Sequence, residues 1–323
     1  MKVQCQLCPK TCIIEEGQSG DCRIRINIDG TLRSVVYSYP CSINIDPVEK
    51  KPLFHFLPAS AALSLATVGC NLHCLFCQNW EISQADPADN PAYHCPPERV
   101  IELARQNKCP SIAYTYTDPV VFYEYTLDTS KLAKNVNIKN ILVTAAYINE
   151  EPLRHLLEYT DAANIDLKGI TDDFYRQICN ATLRPVQKAL VLTKAAGVHL
   201  EVTNLIIPTL NDKPDQIRRL VLWVRDNLGS DTPLHFSRFF PLYKLTHLPP
   251  TSPETLEQAR QIALEEGMDF VYIGNIASKE GQNTYCPKCK KMLIERSGYT
   301  ILQNRIIDGC CPDCKHKIYG VWK

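Results

Sequence analysis

What the chain lacks sets the first bounds. None of its apolar runs approaches the ~20 residues that a membrane-spanning helix needs. The opening MKVQCQLCPK has none of the charged-then-apolar architecture of a secretory signal. Neither sign of charge is in excess, because 35 basic residues meet 35 acidic ones. No global field therefore favours nucleic acid or an anionic membrane. Internal repeats of roughly 20–50 residues and low-complexity tracts are missing too. Together these absences lead to the expectation of a cytoplasmic protein with no membrane partner and no expected nucleic-acid partner. The 323 residues suffice for one large core or two smaller ones, and single α/β barrels reach this size.

Cysteine, by contrast, is abundant, at 16 residues. In a cytosolic chain clustered cysteines point to metals and not to disulfides, and these are clustered. Cys5, Cys8, Cys12 and Cys22 stand at the front; Cys70, Cys74 and Cys77 form a central triplet; Cys286, Cys289, Cys310, Cys311 and Cys314 stand at the back. Cys41, Cys95, Cys109 and Cys179 are scattered and read as small buried hydrophobes.

Periodicity divides the chain into three parts. Residues 1–58 are cysteine-rich and loop-like, with a hairpin signal around Asp29-Gly30 in RIRINIDGTLRSVVYSY and a proline-punctuated approach, DPVEKKPLFHFLPAS. Over 59–280, apolar strand candidates alternate with helix-period stretches. The strands are ALSLATV, SIAYTY, NILVTAA, AANIDL, HLEVTNLIIP, LHFSRFF and DFVYIG; the helices include PPERVIELARQN and KPDQIRRLVLWVRDNL. Repeated βα units predict a parallel sheet buried by helices. About six of them suggest a partial or complete barrel with its chemistry at the C-terminal strand ends. Residues 281–323 break the pattern with two Cys-x-x-Cys knuckles flanking short strand-like runs, and read as a separate small module.

The triplet, in TVGCNLHCLFCQNWEIS, directly follows the first barrel strand and has no fourth cysteine near it in sequence. Thiolates select soft metals, zinc or an iron–sulfur cluster. Three cysteines around four irons leave one iron open to a ligand, and that vacancy reads as the reactive position. The alternative is a structural zinc site that recruits a remote fourth ligand. The front set, with its CxxC start, suits a closed tetrahedral site, zinc or a second cluster. The back set, Cys286, Cys289, Cys311 and Cys314, has the spacing of a zinc ribbon; Cys310 gives the poorer CxxC. A structural or protein-docking role is expected for it.

Cys70, Cys74, Phe76 and Cys77, in the spacing CxxxCxxC with an aromatic before the last cysteine, resemble the radical S-adenosylmethionine superfamily. CQNWEIS, DPVEKKPLFHF, YTYTDP and IDLKG narrow the resemblance to the AmmeMemoRadiSam-system radical enzymes, cousins of the pyruvate formate-lyase-activating enzyme. It runs from Cys5 to about Asn275. Two features depart from the pattern: Asp118 stands where it has Glu, and Ala145-Ala146 where it has Asn-Gly.

The resemblance implies a 4Fe-4S cluster on Cys70, Cys74 and Cys77, whose open iron chelates the methionine moiety of S-adenosylmethionine. It implies reductive cleavage to a 5′-deoxyadenosyl radical, hydrogen abstraction from a substrate, and an electron donor such as ferredoxin or flavodoxin. Asp118 would hold the methionine ammonium, although Asp before Pro also caps helices. Asp166 and Lys168 lie on one face of their strand; the resemblance gives them the ribose and the methionine carboxylate, and a plain internal ion pair is the bland solution. Phe76 is the platform for adenine. From strand position, Asn204 is a candidate ribose contact and His235 a cofactor-side residue, with Arg238 facing an anionic substrate or an internal acid.

The expected fold is thus an α/β, partial (βα)6-type TIM-like barrel between an N-terminal cysteine-rich segment and a C-terminal zinc-ribbon-like module. The expected function is a radical enzyme of this superfamily. Its substrate is not written in the sequence; kinship to the activating enzymes implies a protein glycine. The rivals are a small-molecule or side-chain substrate and, from another class, a zinc or iron–sulfur module that docks RNA or protein.

Overall fold

The computed structural model describes residues 1–276, 278 and 280–323. Strands β1 (Val3–Gln4) and β2 (Ile13–Ile14) form a short antiparallel pair, and β3 (Arg25–Ile28) and β4 (Thr31–Ser34) a hairpin. Asp29 and Gly30 turn that hairpin with φ of 52° and 74°, the left-handed pair that a two-residue turn requires.

The main sheet has eight strands: β5 (Ser42–Pro47), β6 (Ala61–Ala66), β7 (Ser111–Tyr114), β8 (Lys139–Thr144), β9 (Ala162–Asp166), β10 (His199–Ile206), β11 (Leu234–Arg238) and β12 (Val271–Gly274). They lie side by side in chain order. Strands β6 to β12 run parallel, and β5 is antiparallel to β6. Each parallel crossover carries a helix: Pro97–Gln106, Tyr123–Asn135, Glu150–Leu157, Leu183–Ala195, Pro214–Leu228 and Pro253–Glu265. Three of these begin on proline, whose missing N–H costs nothing at a helix start. Ser252 caps the last of them by accepting from the Thr255 N–H at 3.1 Å.

Strand alternation divides the sheet's two faces. Leu63, Ile112, Leu142 and Ala163 join the large core with the helices. Their neighbours Ala62, Ala113, Ile141 and Ala162 pack instead against Val48, Leu53 and Phe56. The DPVEKKPLFHF segment thus lies against the face that the helices leave free. It is fastened there by polar groups. Asn164 on β9 donates to the Pro52 carbonyl at 2.8 Å, and Glu201 on β10 accepts from the backbone N–H groups of Phe54 (3.0 Å) and His55 (2.7 Å).

A three-stranded sheet, β13 (Thr284–Tyr285), β14 (Met292–Ser297) and β15 (Thr300–Asn304), lies among the C-terminal cysteines. It shares a buried cluster with the main sheet: Phe54, Phe270 and Tyr272 touch Cys286, Leu293, Ile294, Cys311 and Ile318. Residues 319–321 then run along the segment, with Val321 N–H donating to His55 O and Leu57 N–H to Val321 O, both at 2.7 Å.

Glu201 is fully buried and also meets two imidazoles, His199 Nε2 at 3.0 Å and His235 Nε2 at 2.6 Å. Burial alone would raise its carboxyl; the hydrogen bonds and charge of the two histidines hold it well below the usual range. Removing one partner of such a buried set strands the others. Glu201→Leu should lower unfolding free energy by about 3–5 kcal/mol at pH 7, read by chemical denaturation. Because the folded carboxyl titrates below its unfolded value, the advantage of the wild type is full above the ordinary Glu pKa of about 4.3 and shrinks as pH falls beneath it. An undiminished gap at pH 3 would contradict the charged state assigned here.

Candidate functional site

The loop after β6 carries the cysteine triplet. Its approach is set by Gly69, at φ 91°, where a Cβ would stand 2.6 Å from Ile24 Cγ2 and 2.8 Å from the Cys22 carbonyl. Cys70, Cys74 and Cys77 line a cavity of about 1120 Å³. Other lining groups follow or end strands β7, β8, β9, β11 and β12: Thr115 to Asp118, Thr144 and Ala145, Asp166 and Lys168, Ser237, and Gly274 to Ile276. The cavity therefore sits at the C-terminal strand ends, where open parallel sheets collect ligands.

The thiols are poorly placed to ionise by themselves. Burial, then the charge of Asp118, pushes Cys70 well up; the neighbouring Cys179 and then burial do the same to Cys74; burial raises Cys77. A cation must supply the compensating charge, which suits a metal-binding set and not a free nucleophile. The surroundings are ready to receive it: the Leu72 N–H donates to Cys70 Sγ at 3.4 Å, and Ser83 Oγ lies 3.2 Å from Cys77 Sγ. Cys179, read from sequence as a buried hydrophobe, stands within hydrogen-bonding reach of Cys74 but does not line the cavity. The one-turn π-helix Tyr175–Cys179 delivers it, and that segment's carbonyls accept from the backbone of the loop, Ile178 from Leu75 and Cys179 from His73.

Asp118 is buried and already engaged. Its Oδ1 accepts from Val120 N–H (3.0 Å) and Thr144 Oγ1 (2.8 Å), its Oδ2 from Ala145 N–H (2.9 Å). Burial raises its carboxyl against those bonds. Lys168 Nζ lies 2.7 Å from Asp166 Oδ2, the internal ion pair, and 5.7 Å from the centroid of the Phe76 ring. Burial would lower the Lys168 ammonium, but Asp166, Cys74 and Cys179 raise it well above its ordinary value. All four of these side chains face the cavity.

Two expected cofactor-side residues are placed otherwise. Asn204 does not line the cavity; strand alternation turns it to the other face from Thr203 and Leu205, and its amide donates to the Leu167 carbonyl at 2.7 Å. His235 reaches the cavity wall, but its Nε2 is committed to Glu201. Arg238 is likewise engaged, donating through Nε to the Thr251 carbonyl at 2.8 Å.

Sequence reasoning missed Glu49 and Arg296. Glu49 comes from the crossing segment, and Arg296, on β14, from the C-terminal module, whose Ser297, Gly298 and Tyr299 also form cavity wall. Both are buried, yet Glu49 Oε2 and Arg296 Nε have no partner among the described residues. The only hint in sequence was a charge inside an otherwise apolar strand, MLIERS.

The back cysteines converge as a single tetrahedral ion requires. Cys286, Cys289, Cys311 and Cys314 have all their Sγ atoms within 4.8 Å of one another, with Cys286–Cys314 at 3.5 Å and Cys289–Cys311 at 3.6 Å. A metal–sulfur bond of about 2.3 Å gives a tetrahedral edge of about 3.8 Å. Cys310 is outside the set.

Comparison with known proteins agrees with this geometry. A sequence model of the Radical SAM superfamily matches residues 64–222. An uncharacterized protein of Methanocaldococcus jannaschii is 52% identical over 319 residues, 98% of this chain and 95% of that protein. The pyruvate formate-lyase-activating enzyme of Clostridium pasteurianum is 25% identical over 160 residues, 47% of this chain and 64% of that enzyme. Among solved structures, SuiB of Streptococcus suis bound to its precursor peptide aligns with a TM-score of 0.53 at 13% identity, over 71% of this chain and 51% of that one. A radical SAM methyltransferase from Sphaerobacter thermophilus aligns at 0.52 and 13%, over 68% and 67%. At these identities the solved structures bear on the fold alone.

The ligand geometry distinguishes neighbouring cysteines. Cys311→Ser should release about one metal equivalent per chain relative to the wild type, and Cys310→Ser none, by elemental analysis of the purified protein. Equal loss from both variants would break the assignment.

Proposed function

The chain belongs to the radical S-adenosylmethionine superfamily, and we propose that it cleaves S-adenosylmethionine at a 4Fe-4S cluster held by Cys70, Cys74 and Cys77 and then abstracts hydrogen from a substrate. The observation that carries this reading is the convergence of three thiols on one large cavity that no fourth cysteine among the described residues lines. When bound, the cluster and S-adenosylmethionine supply a carbon-centred radical, for one electron from a donor protein such as ferredoxin or flavodoxin.

In this reading the chain's own groups hold and orient the cofactor. Lys168 offers its ammonium to the methionine carboxylate, sharing it with Asp166, whose other oxygen serves the ribose. Asp118 keeps Thr144 and Ala145 in place and faces the methionine ammonium. Phe76 carries the adenine. Asn204 and His235 are left out, because Asn204 faces away from the cavity with its amide nitrogen on Leu167 O, and His235 Nε2 is held by Glu201. At about 1120 Å³ the cavity exceeds an ordinary single-ligand site and leaves room for a substrate beside the cofactor. Glu49 and Arg296, each with one buried polar atom left without a partner among the described residues, mark the wall against which that substrate sits. The likeness to the activating enzyme favours a protein glycine as its hydrogen source.

The six-crossover sheet is read here as a partial (βα)6-type barrel. The four back thiols are assigned zinc, which stiffens a module that forms part of the cavity wall. All sixteen cysteines are free, in keeping with a reducing, cytoplasmic setting.

Anaerobic reconstitution with iron and sulfide, followed by dithionite and S-adenosylmethionine, should yield 5′-deoxyadenosine, and Cys74→Ala should abolish it. Full iron loading without cofactor cleavage would sink the proposal. Lys168→Met should weaken S-adenosylmethionine binding about tenfold or more, since it removes a buried charge-assisted contact; unchanged affinity would remove Lys168 from the cofactor site.

A further inference from the structure

The front thiols Cys5, Cys8, Cys12 and Cys22 line a cavity of about 20 Å³. The large cavity is about 1120 Å³, and one side of it holds polar groups that the proposed function leaves unused. There β10 presents Thr203, and β11 presents His235 and Ser237. Thr203 and His235 are neighbours in the strand register, and alternation puts 235 and 237 on one face.

His235 is buried, and its two ring nitrogens differ in what they meet. Nε2 lies 2.6 Å from Glu201 Oε2. The Glu201 carboxyl is held well below its usual range and so is an acceptor only, which assigns the proton of that bond to Nε2. With Nε2 protonated, the neutral ring carries a lone pair on Nδ1. Nδ1 has no hydrogen-bond partner among the described residues, and it is not one of the fully covered polar atoms in that condition. His235 lines the cavity, so Nδ1 opens on it. Phe54 and Tyr272 flank the ring, with centroids 4.9 and 5.1 Å away, and packing therefore holds the orientation that Glu201 selects.

The neighbours narrow what the site accepts. Thr203 Oγ1 donates its one hydrogen to Asn164 Oδ1 at 2.9 Å and offers a ligand lone pairs only. Ser237 Oγ accepts from Asn275 Nδ2 at 2.9 Å, and its own hydrogen has no acceptor among the described residues. Gly274 beside it has no side chain to cover that hydroxyl; a Cβ there would stand 3.5 Å from Ser237 Oγ. No carboxylate or ammonium stands among the three. Acceptors at 203 and 235 and a donor at 237, about 6.6 Å farther along the strand, match a peptide segment, which brings N–H and C=O groups without charge.

We infer that His235 is a substrate-binding residue whose Nδ1 accepts a backbone N–H of the substrate, with Glu201 as the positioning residue behind it and Ser237 donating to a carbonyl of the same segment. This role rests on the proposed reading of the cavity, with a protein glycine as hydrogen source, and supplies the contact that orients the segment carrying the glycine. Glu201 then serves both the fold and recognition.

The probe is a short peptide, acetylated and amidated at its ends, with one glycine deuterated at Cα. In the reconstituted full chain, with S-adenosylmethionine and dithionite, deuterium should pass from the peptide to 5′-deoxyadenosine. His235→Gln separates recognition from structure, because the glutamine amide can still donate to Glu201 while no acceptor stands at the Nδ1 position. It should keep the wild-type circular dichroism and raise the KM for the peptide about tenfold or more. His235→Asn, whose amide oxygen can stand near the Nδ1 position but does not reach Glu201, should reverse the pattern, with lower stability and a KM nearer that of the wild type. A wild-type KM in His235→Gln would overturn the inference, and so would cofactor cleavage that leaves all deuterium in the peptide. A second measurement needs no turnover. Diethyl pyrocarbonate acylates unprotonated imidazole nitrogens; it should modify His235 of the reconstituted protein, mapped by mass spectrometry, and the peptide should slow that modification. An unmodified His235, or modification indifferent to the peptide, would overturn the inference whether or not S-adenosylmethionine is cleaved, so its failure and that of the proposed function are read separately.

Discussion

Glu201 is the constraint on which the architecture rests. A carboxylate at full burial is tolerable only when its lone pairs are taken, and here two backbone N–H groups and two imidazoles take them. Those partners come from three places: the crossing segment, β10 itself and β11. The chain of bonds continues outward. His55 Nδ1 lies 2.6 Å from the Tyr319 carbonyl and its Nε2 2.6 Å from the Tyr272 hydroxyl, which in turn lies 2.8 Å from Thr284 Oγ1. Arg296 joins the same group through Thr284 Oγ1 and the Phe54 carbonyl, both at 2.8 Å. The C-terminal module is therefore tied to the inner strands by polar bonds as well as by apolar contact, and a wall of the cavity is positioned from the middle of the sheet.

The central loop is held in a different way, by close packing on every side. Gly69 admits the backbone of Cys22, the π-helical turn accepts two N–H groups of the loop, and Gln84 accepts or donates at three points around it. A loop so constrained presents its thiols with little reorganisation, which is what a site of fixed geometry needs. The same closeness makes the front cysteine segment part of the site's support and not an appendage.

Much of the fold was legible because apolar strand runs separated by helix-period stretches have few alternative readings. All seven runs became the parallel strands β6 to β12, Asp29-Gly30 turned its hairpin, and Cys311, as its spacing implied, stands with the converging thiols while Cys310 does not. Strand β5 was not visible: SINIDP is short, half exposed and ends on proline, so pairing with β6 and not intrinsic preference makes it a strand. The site was legible where spacing alone defined it, as for the triplet. It was not legible where facing mattered. Asn204 and Thr203 differ by one position, and period two sends one into the cavity and the other away. Cys179, Glu49 and Arg296 reach the triplet or its cavity from positions well outside its loop in sequence, through contacts that no local pattern encodes.

Asp118 and Ala145-Ala146, which stand out together in the sequence, form one structural unit. The shorter carboxylate reaches across from β7 to the end of β8 and takes Thr144 Oγ1 and Ala145 N–H; Thr144 Oγ1 in turn accepts from Ala146 N–H at 2.8 Å. Ala146 sits at φ 51°, the left-handed region where glycine is free and alanine costs about 1 kcal/mol. A residue is held in that conformation only if its surroundings insist on it, and here the surroundings are the bonds that begin at Asp118. Asp118 and the Thr144–Ala146 turn are thus coupled across two strand ends, and the left-handed backbone of Ala146 is restrained by the hydrogen bonds that begin at Asp118.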